Sequence, residues 1–283
     1  MESLEVIANA KINLALAVKN KRADGYHEVE LIFQEIDFHD KVHLFKSDTI
    51  KFSTDSPILQ HEPSNLCFTA AKVLVSEFNI PGLQIQLEKK LPIGAGLGGG
   101  SSNAAAILRG GLELYGLAYS MDKLNDIAVK MGADVPFFLI GGTAYGSGRG
   151  EILTSITMNS DYHILLILPE IHISTEWAYK NLNLTLTRKN DDHKFRGFRF
   201  QNLNLSEFNS EFYNEFENLV FRHYPNLLVV KSELHDRGAE YASLSGSGSA
   251  LYGLFSSRTT AENALKMMGK KYKCQLSRPV VNH

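Results

Sequence analysis

The chain has 283 residues, 44% of them hydrophobic and 21% charged, with a formal net charge of −2. That length suits two medium domains or one large one and buries a substantial core without staples. The near-neutral balance excludes the global basic field of a nucleic-acid binder, although a local cleft can still receive an anion.

Cys67 and Cys274 lie far apart and form neither a CxxC pair nor a zinc spacing, which suits a reducing compartment. The opening segment lacks a basic start followed by a long apolar core, and the longest apolar run, 164–169, is too short to span a bilayer. A soluble, cytoplasmic protein with no membrane partner is expected.

In chain order, residues 12–18 and 42–45 alternate or run apolar, as strands do. Residues 83–87 read Leu-Gln-Ile-Gln-Leu, a clean period of two. A loop over 92–100 follows. Ser101 or Ser102 stands where an N-cap belongs, and 104–115 reads as helix. Ser120 caps a second helix running to Met131, with Gly132 as its stop and Pro136 barring continuation. Residues 163–168 predict a buried strand and 175–181 a short helix. Residues 190–201 are polar, charged and glycine-containing, hence a loop or surface insertion. A helix over 225–237 capped by Gly238, strands over 241–244 and 250–255 around a small-residue turn, a helix over 261–268 and a strand over 274–278 complete the chain. The second half thus predicts an α+β sandwich with helices on one face of an antiparallel sheet.

The sharpest feature is Leu91-Pro92-Ile93-Gly94-Ala95-Gly96-Leu97-Gly98-Gly99-Gly100-Ser101-Ser102-Asn103. Its glycines free the backbone for positive φ and close approach to a ligand. A helix begins directly after it, so exposed N–H groups and the positive helix end favour an anion, usually phosphate. A flexible Gly/Ser connector would not be framed by a strand, a proline and an alanine-rich helix. A P-loop is excluded because Gly100 is followed by Ser101, not lysine. The dinucleotide fingerprint is formally met by Gly94, Gly96 and Gly99, but Glu113, at the spacing of its ribose-binding acid, lies inside a predicted helix and not at a strand end.

This loop resembles the ATP-binding motif of the GHMP kinases (galactokinase, homoserine kinase, mevalonate kinase and relatives). Ala8-Asn-Ala-Lys-Ile-Asn-Leu14 resembles that family's first motif, and Leu244-Ser-Gly-Ser-Gly-Ser-Ala250 its third. Arg22-Ala-Asp-Gly-Tyr-His-Glu28, Gly132-Ala-Asp-Val-Pro-Phe-Phe138 and 141–151 are similar to the branch that phosphorylates the 2-hydroxyl of a diphosphocytidyl-linked methylerythritol, a step toward isoprenoid precursors. The resemblance is dense over 8–40 and 89–151, and thin over 46–80 and 185–224. It implies a two-domain fold: an N-terminal domain over 1–157, like the second domain of ribosomal protein S5, and a ferredoxin-like C-terminal domain over 158–283.

Several side chains acquire roles from this resemblance. Asp134, alone, is an Asp in a turn; the family likeness makes it the group that accepts or orients the substrate hydroxyl proton. Lys11 stands on an apolar strand, where unpaired burial costs several kcal/mol; in the family the matching lysine pairs with the matching aspartate. Asn13 shares its strand face by the period of two and is placed to hydrogen-bond the substrate. Tyr26 and His27 follow the Asp24-Gly25 turn and are implied to stack on and read a cytosine, with Tyr179 as the second aromatic wall. Gly246 and Gly248 belong to the loop that closes over substrate and phosphates. ATP is the implied donor, with Mg2+ bridging its phosphates. No protein metal ligand is assigned, though Ser102 sits at the helix start. The expected partner is a small molecule with a cytidine diphosphate moiety, and the expected assembly a monomer or weak homodimer. Another GHMP kinase, of mevalonate or homoserine type, and a non-catalytic nucleotide-binding module on the same fold are the alternatives.

Overall fold

The structure, a computed structural model, describes residues 2–60, 62, 65–182, 195 and 205–281. The chain opens with two long strands, β1 (Ser3–Lys21) and β2 (His27–Lys46), paired through a tight turn. There follow β3 (Lys51–Thr54), α1 (Pro57–Gln60), α2 (Leu66–Phe78), β4 (Leu83–Glu88), α3 (Gly99–Leu114), α4 (Met121–Met131), α5 (Val135–Ile140), β5 (Thr143–Ser147) and β6 (Ile152–Ser155). The second half holds β7 (His163–Ile167), α6 (Thr175–Asn181), a 3-10 turn Leu205–Glu207, α7 (Phe208–Glu211), α8 (Glu217–His223), α9 (Pro225–Asp236), β8 (Tyr241–Leu244), β9 (Leu251–Phe255), α10 (Arg258–Met268) and β10 (Cys274–Ser277). The described residues fall into two compact units. One comprises 1–10, 39–93 and 98–140; the other comprises 11–38, 94–97 and 141–283.

In the first unit, β4 runs antiparallel to the second half of β2, from Lys41 opposite Glu88 to Lys46 opposite Leu83, and β3 lies parallel to β4. Leu83, Ile85 and Leu87 are buried while Gln86 and Glu88 are exposed, as the period of two requires. Each fully buried Leu or Ile of such a face contributes about 1.5–3 kcal/mol. Against it packs α3, whose small residues permit a close approach. A Cβ on Gly110 would stand 2.6 Å from Val6 and 2.8 Å from Leu44, and one on Gly111 would collide with Leu74 of α2. Lodged this tightly, α3 presents its N-terminus at a defined place.

In the second unit, the first half of β2 pairs antiparallel with β5, from Leu31 opposite Gly146 to Gln34 opposite Thr143, and β6 pairs with β5. A separate sheet has the order β10-β7-β9-β8, antiparallel throughout. With α9 against β8 and β9 and α10 against β7, β9 and β10, this is the expected βαββαβ, ferredoxin-like arrangement. Every residue of β7, β8 and β9 is buried.

One local expectation needs correcting. The helix after the glycine loop starts at Gly99, capped by Gly98 in the left-handed region (φ 70°), not by Ser101 or Ser102. Propensity disfavours glycine in a helix, but close packing on Leu91 and Lys89 overrides it. As expected, α4 stops at Met131 with Gly132 as its cap and is not continued; Pro136 sits second in the separate helix α5, where its missing N–H costs nothing. The segment 190–201 lies outside the described residues except for Phe195, which is buried with its ring 6.2 Å from that of Phe212.

Candidate active site

The two flanks of the glycine loop belong to the first unit. Gly98 turns the chain into α3, and Ser102 N–H donates to Gly98 O at 2.9 Å. No side chain caps this helix, so its first N–H groups and its positive end face an incoming anion. The turn carrying Asp134 lies alongside. A Cβ on Gly132 would be 3.9 Å from Ser101 Oγ, and α5, which Asp134 directly precedes, packs on α3. Asp134 is half-buried. Near the start of α2, Asn65 caps the helix by accepting Cys67 N–H at 2.9 Å. Its Nδ2 is the one buried side-chain polar atom without a hydrogen-bond partner among the described residues. Leu66, the next residue, lies 3.8 Å from where a Cβ on Gly100 would be.

The middle of the loop and the third motif belong to the second unit. Gly96 has φ 80°, and a Cβ there would overlap Ser245 O, so only glycine fits. Ser245 Oγ donates to Gly96 O at 2.8 Å and Ala250 N–H to Ala95 O at 3.1 Å. Asn214 Nδ2 donates to both Leu244 O and Gly246 O at 2.8 Å, and Glu217 accepts Leu244 N–H at 3.0 Å. These bonds hold the turn of Gly246 and Gly248 in place. On β1, Lys11 N–H donates to Leu97 O at 3.0 Å. The Lys11 side chain is 3% exposed and donates to Asn13 Oδ1 at 2.6 Å. A Cβ on Gly246 would be 3.4 Å from that same Oδ1. Lys11, Asn13, the Gly96 loop and the Gly246 turn thus form one polar patch in this unit.

The aromatic residues take different partners. Arg22, Asp24 and Gly25 make the turn between β1 and β2, with Arg22 N–H donating to Tyr26 O at 2.7 Å and Tyr26 N–H to Asp24 Oδ1 at 3.1 Å. Tyr26 is 57% exposed and has the Arg149 guanidinium 4.9 Å from its ring centre. His27 stacks on Tyr179 at 5.1 Å with 20° between the planes, and Tyr179 meets Phe216 edge-on at 4.9 Å. Desolvation, then the nearby Lys21, holds the His27 imidazole below its ordinary 6.5 and favours the neutral ring. The sequence reading brought out neither Arg149 nor Asn65. Asn65 stands directly before a helix with capping chemistry, a signal that could have found it.

The residues fit a nucleoside triphosphate: an uncapped helix start suits phosphate, and a buried amide with a free N–H suits a ring acceptor. Among the described residues no group of three His, Cys, Asp or Glu is placed to hold a metal; magnesium on a nucleotide is commonly held by phosphates, waters and one or two protein oxygens.

Fold and site together define a phosphotransferase built for ATP. Residues 65–142 match the GHMP kinases N terminal domain and residues 199–274 the GHMP kinases C terminal family; the chain belongs to the GHMP kinase family. It is 42% identical over 285 residues to a 4-diphosphocytidyl-2-C-methyl-D-erythritol kinase of Chlorobium phaeobacteroides strain DSM 266, covering 99% of this chain and 96% of that one. It is 40% identical over 280 residues to the kinase of the same name from Chlorobaculum tepidum, covering 98% of each. Among solved structures it resembles a 4-(cytidine 5'-diphospho)-2C-methyl-D-erythritol kinase at 28% identity and TM-score 0.83, covering 99% and 100% of the two chains. A homoserine kinase from Cytophaga hutchinsonii shares the fold, at 18% identity and TM-score 0.74 over 100% and 96% of the chains.

Proposed function

We propose that this protein transfers the γ-phosphoryl group of ATP to the 2-hydroxyl of 4-diphosphocytidyl-2-C-methyl-D-erythritol, within the methylerythritol phosphate route to isoprenoid precursors. The observation that carries the reading is the pairing of a GHMP nucleotide loop with an aromatic set, Tyr26, His27 and Tyr179, suited to a nucleobase. Homoserine and mevalonate have no base to stack. Full-length relatives near 40% identity support the same substrate.

Phosphoryl transfer depends on positioning and charge stabilisation more than on covalent help. Backbone N–H groups of Ile93, Gly94, Ala95, Gly96, Leu97, Gly98, Gly99 and Gly100, with Ser101 and Ser102, hold the triphosphate, and Pro92, which has no N–H to offer, fixes the entry to the loop. Mg2+ would accompany it, with the Ser102 hydroxyl as the protein oxygen offered, and would neutralise phosphate charge. Asp134 orients the acceptor hydroxyl and takes its proton. Lys11, kept in place by Asn13, stabilises charge on the transferring group. Tyr26 offers one ring face to cytosine while Arg149 covers the other, and neutral His27 presents a donor and an acceptor to the base edge. Gly246 and Gly248 allow the third loop to approach the acceptor.

The deciding experiment is an ADP-release assay on purified protein across the cytidine acceptor, a uridine analogue, mevalonate and homoserine. Turnover of the cytidine acceptor well above the others is expected. Equal use of the uridine analogue, or preference for mevalonate or homoserine, would refute the substrate assignment and leave the kinase assignment standing.

A further inference from the structure

We propose that Asp40 is a positioning residue for the phosphoryl donor, clamping together the two flanks of the glycine loop. The inference rests on the reading that this loop holds ATP. Asp40 begins an alternating stretch of β2, in which it, Val42 and Leu44 are buried, and is 0% exposed. Its Oδ1 accepts the backbone N–H groups of Lys90 at 2.7 Å and Leu91 at 2.8 Å. Its Oδ2 accepts Lys89 Nζ at 2.7 Å and Asn103 Nδ2 at 2.9 Å. Lys89 Nζ donates in addition to Leu91 O at 2.7 Å. One carboxylate therefore ties residues 89–91, just ahead of Pro92, to Asn103 in the second turn of α3.

A buried ion pair is weak evidence for stability in itself. Here every bond lands on a flank of the loop. The stretch between Leu91 and Asn103 contains Gly94, Gly96, Gly98, Gly99 and Gly100, which lose the most conformational freedom on being ordered. Fixing both ends before ATP arrives lowers the ordering cost charged to binding. Lys89 also cancels the charge of Asp40, so the clamp sets no net negative charge beneath a triphosphate. A Cβ on Gly99 would come within 3.2 Å of Lys89 Nζ, which places the ion pair directly under the first turn of α3.

Two substitutions test this. Asp40→Asn keeps an oxygen for the two backbone N–H groups but turns an NH2 toward Lys89 and Asn103, both donors. Asn103→Ala cuts one link and leaves the ion pair intact. ATP affinity is measured by calorimetry without acceptor, and KM for each substrate by ADP release. We expect ATP affinity to fall about tenfold in Asp40→Asn, which disturbs both links at Oδ2, and about three- to fivefold in Asn103→Ala, which removes one of them, the net worth of about one hydrogen bond. Acceptor KM should stay within about twofold, and kcat at saturating ATP should change little. A purely structural role instead lowers melting temperature and active fraction while ATP affinity of the folded protein holds; that result, or equal rises in both KM values, overturns the proposal. If Asp40→Asn fails to fold, Asn103→Ala decides alone. If the wild-type protein binds no ATP, the donor reading itself fails.

Discussion

Replacing Gly96 by alanine separates the close approach of two loops from mere loop flexibility. At φ 80° a side chain costs about 1–2 kcal/mol. The added Cβ would also overlap Ser245 O and lie 3.2 Å from Gly248 O, backbone atoms that no rotamer change can move. The turn must shift, which strains or breaks Ser245 Oγ to Gly96 O and Ala250 N–H to Ala95 O, at about 1 kcal/mol each. The total is about 3–4 kcal/mol, or a melting temperature lower by roughly 10 °C in a unit of this size. Gly100→Ala is the matched control. Gly100 is helical, and its Cβ would sit in ordinary contact, 3.8 Å from Leu66. Alanine there stabilises by about 0.5–1 kcal/mol; if the first turn of α3 cradles phosphate, it should nonetheless raise the ATP KM. Thermal denaturation with ATP titration on both variants reads the contrast. A Gly96→Ala protein melting within about 2 °C of wild type would refute the packing argument. Unchanged ATP KM in Gly100→Ala would refute the cradle.

Tyr26→Ala should lower kcat/KM for the cytidine acceptor by about 5- to 150-fold, the worth of a stack of about 1–3 kcal/mol, with ATP KM unchanged in steady-state assays. Asp134→Asn and Lys11→Ala should each nearly abolish turnover, with calorimetric ATP affinity within a few fold for Asp134→Asn; near-wild-type rates in both would sink the mechanism. His27 and His163 are both held below their ordinary 6.5, mainly by burial, with Lys21 adding to the effect at His27, and Arg278 and Arg258 at His163. As pH falls below about 6.5 the unfolded chain takes up protons first. Their stabilising contribution is therefore present above 6.5 and lost as pH falls through the folded values. Urea unfolding between pH 5 and 8 should show stability rising with pH up to about 6.5 and levelling above it, with a shallower rise in His27→Gln and His163→Gln.

The sequence by itself determined the elements whose pattern is local. The period of two in 83–87, the Ser120 cap and Gly132 stop of α4, α6 and β8 are found as expected, because alternation and capping depend on neighbours in the chain. The glycine loop and its motif partners were legible for the same reason. What the sequence did not show depends on distant contacts. The start of α3 at Gly99 needs Leu91 and Lys89 beneath it, and β2 runs to 20 residues while it pairs with β5 over 31–34 and with β4 over 41–46. Asp40 reads as one more polar residue on a strand until folding brings Lys90, Leu91, Lys89 and Asn103 to its two oxygens. Arg149 joins Tyr26 only because the β5–β6 turn folds against the β1–β2 turn, with Glu28 accepting from both Arg22 and Gly148. A buried carboxylate or a cation over a ring is defined by what surrounds it, and those surroundings exist only in the folded chain.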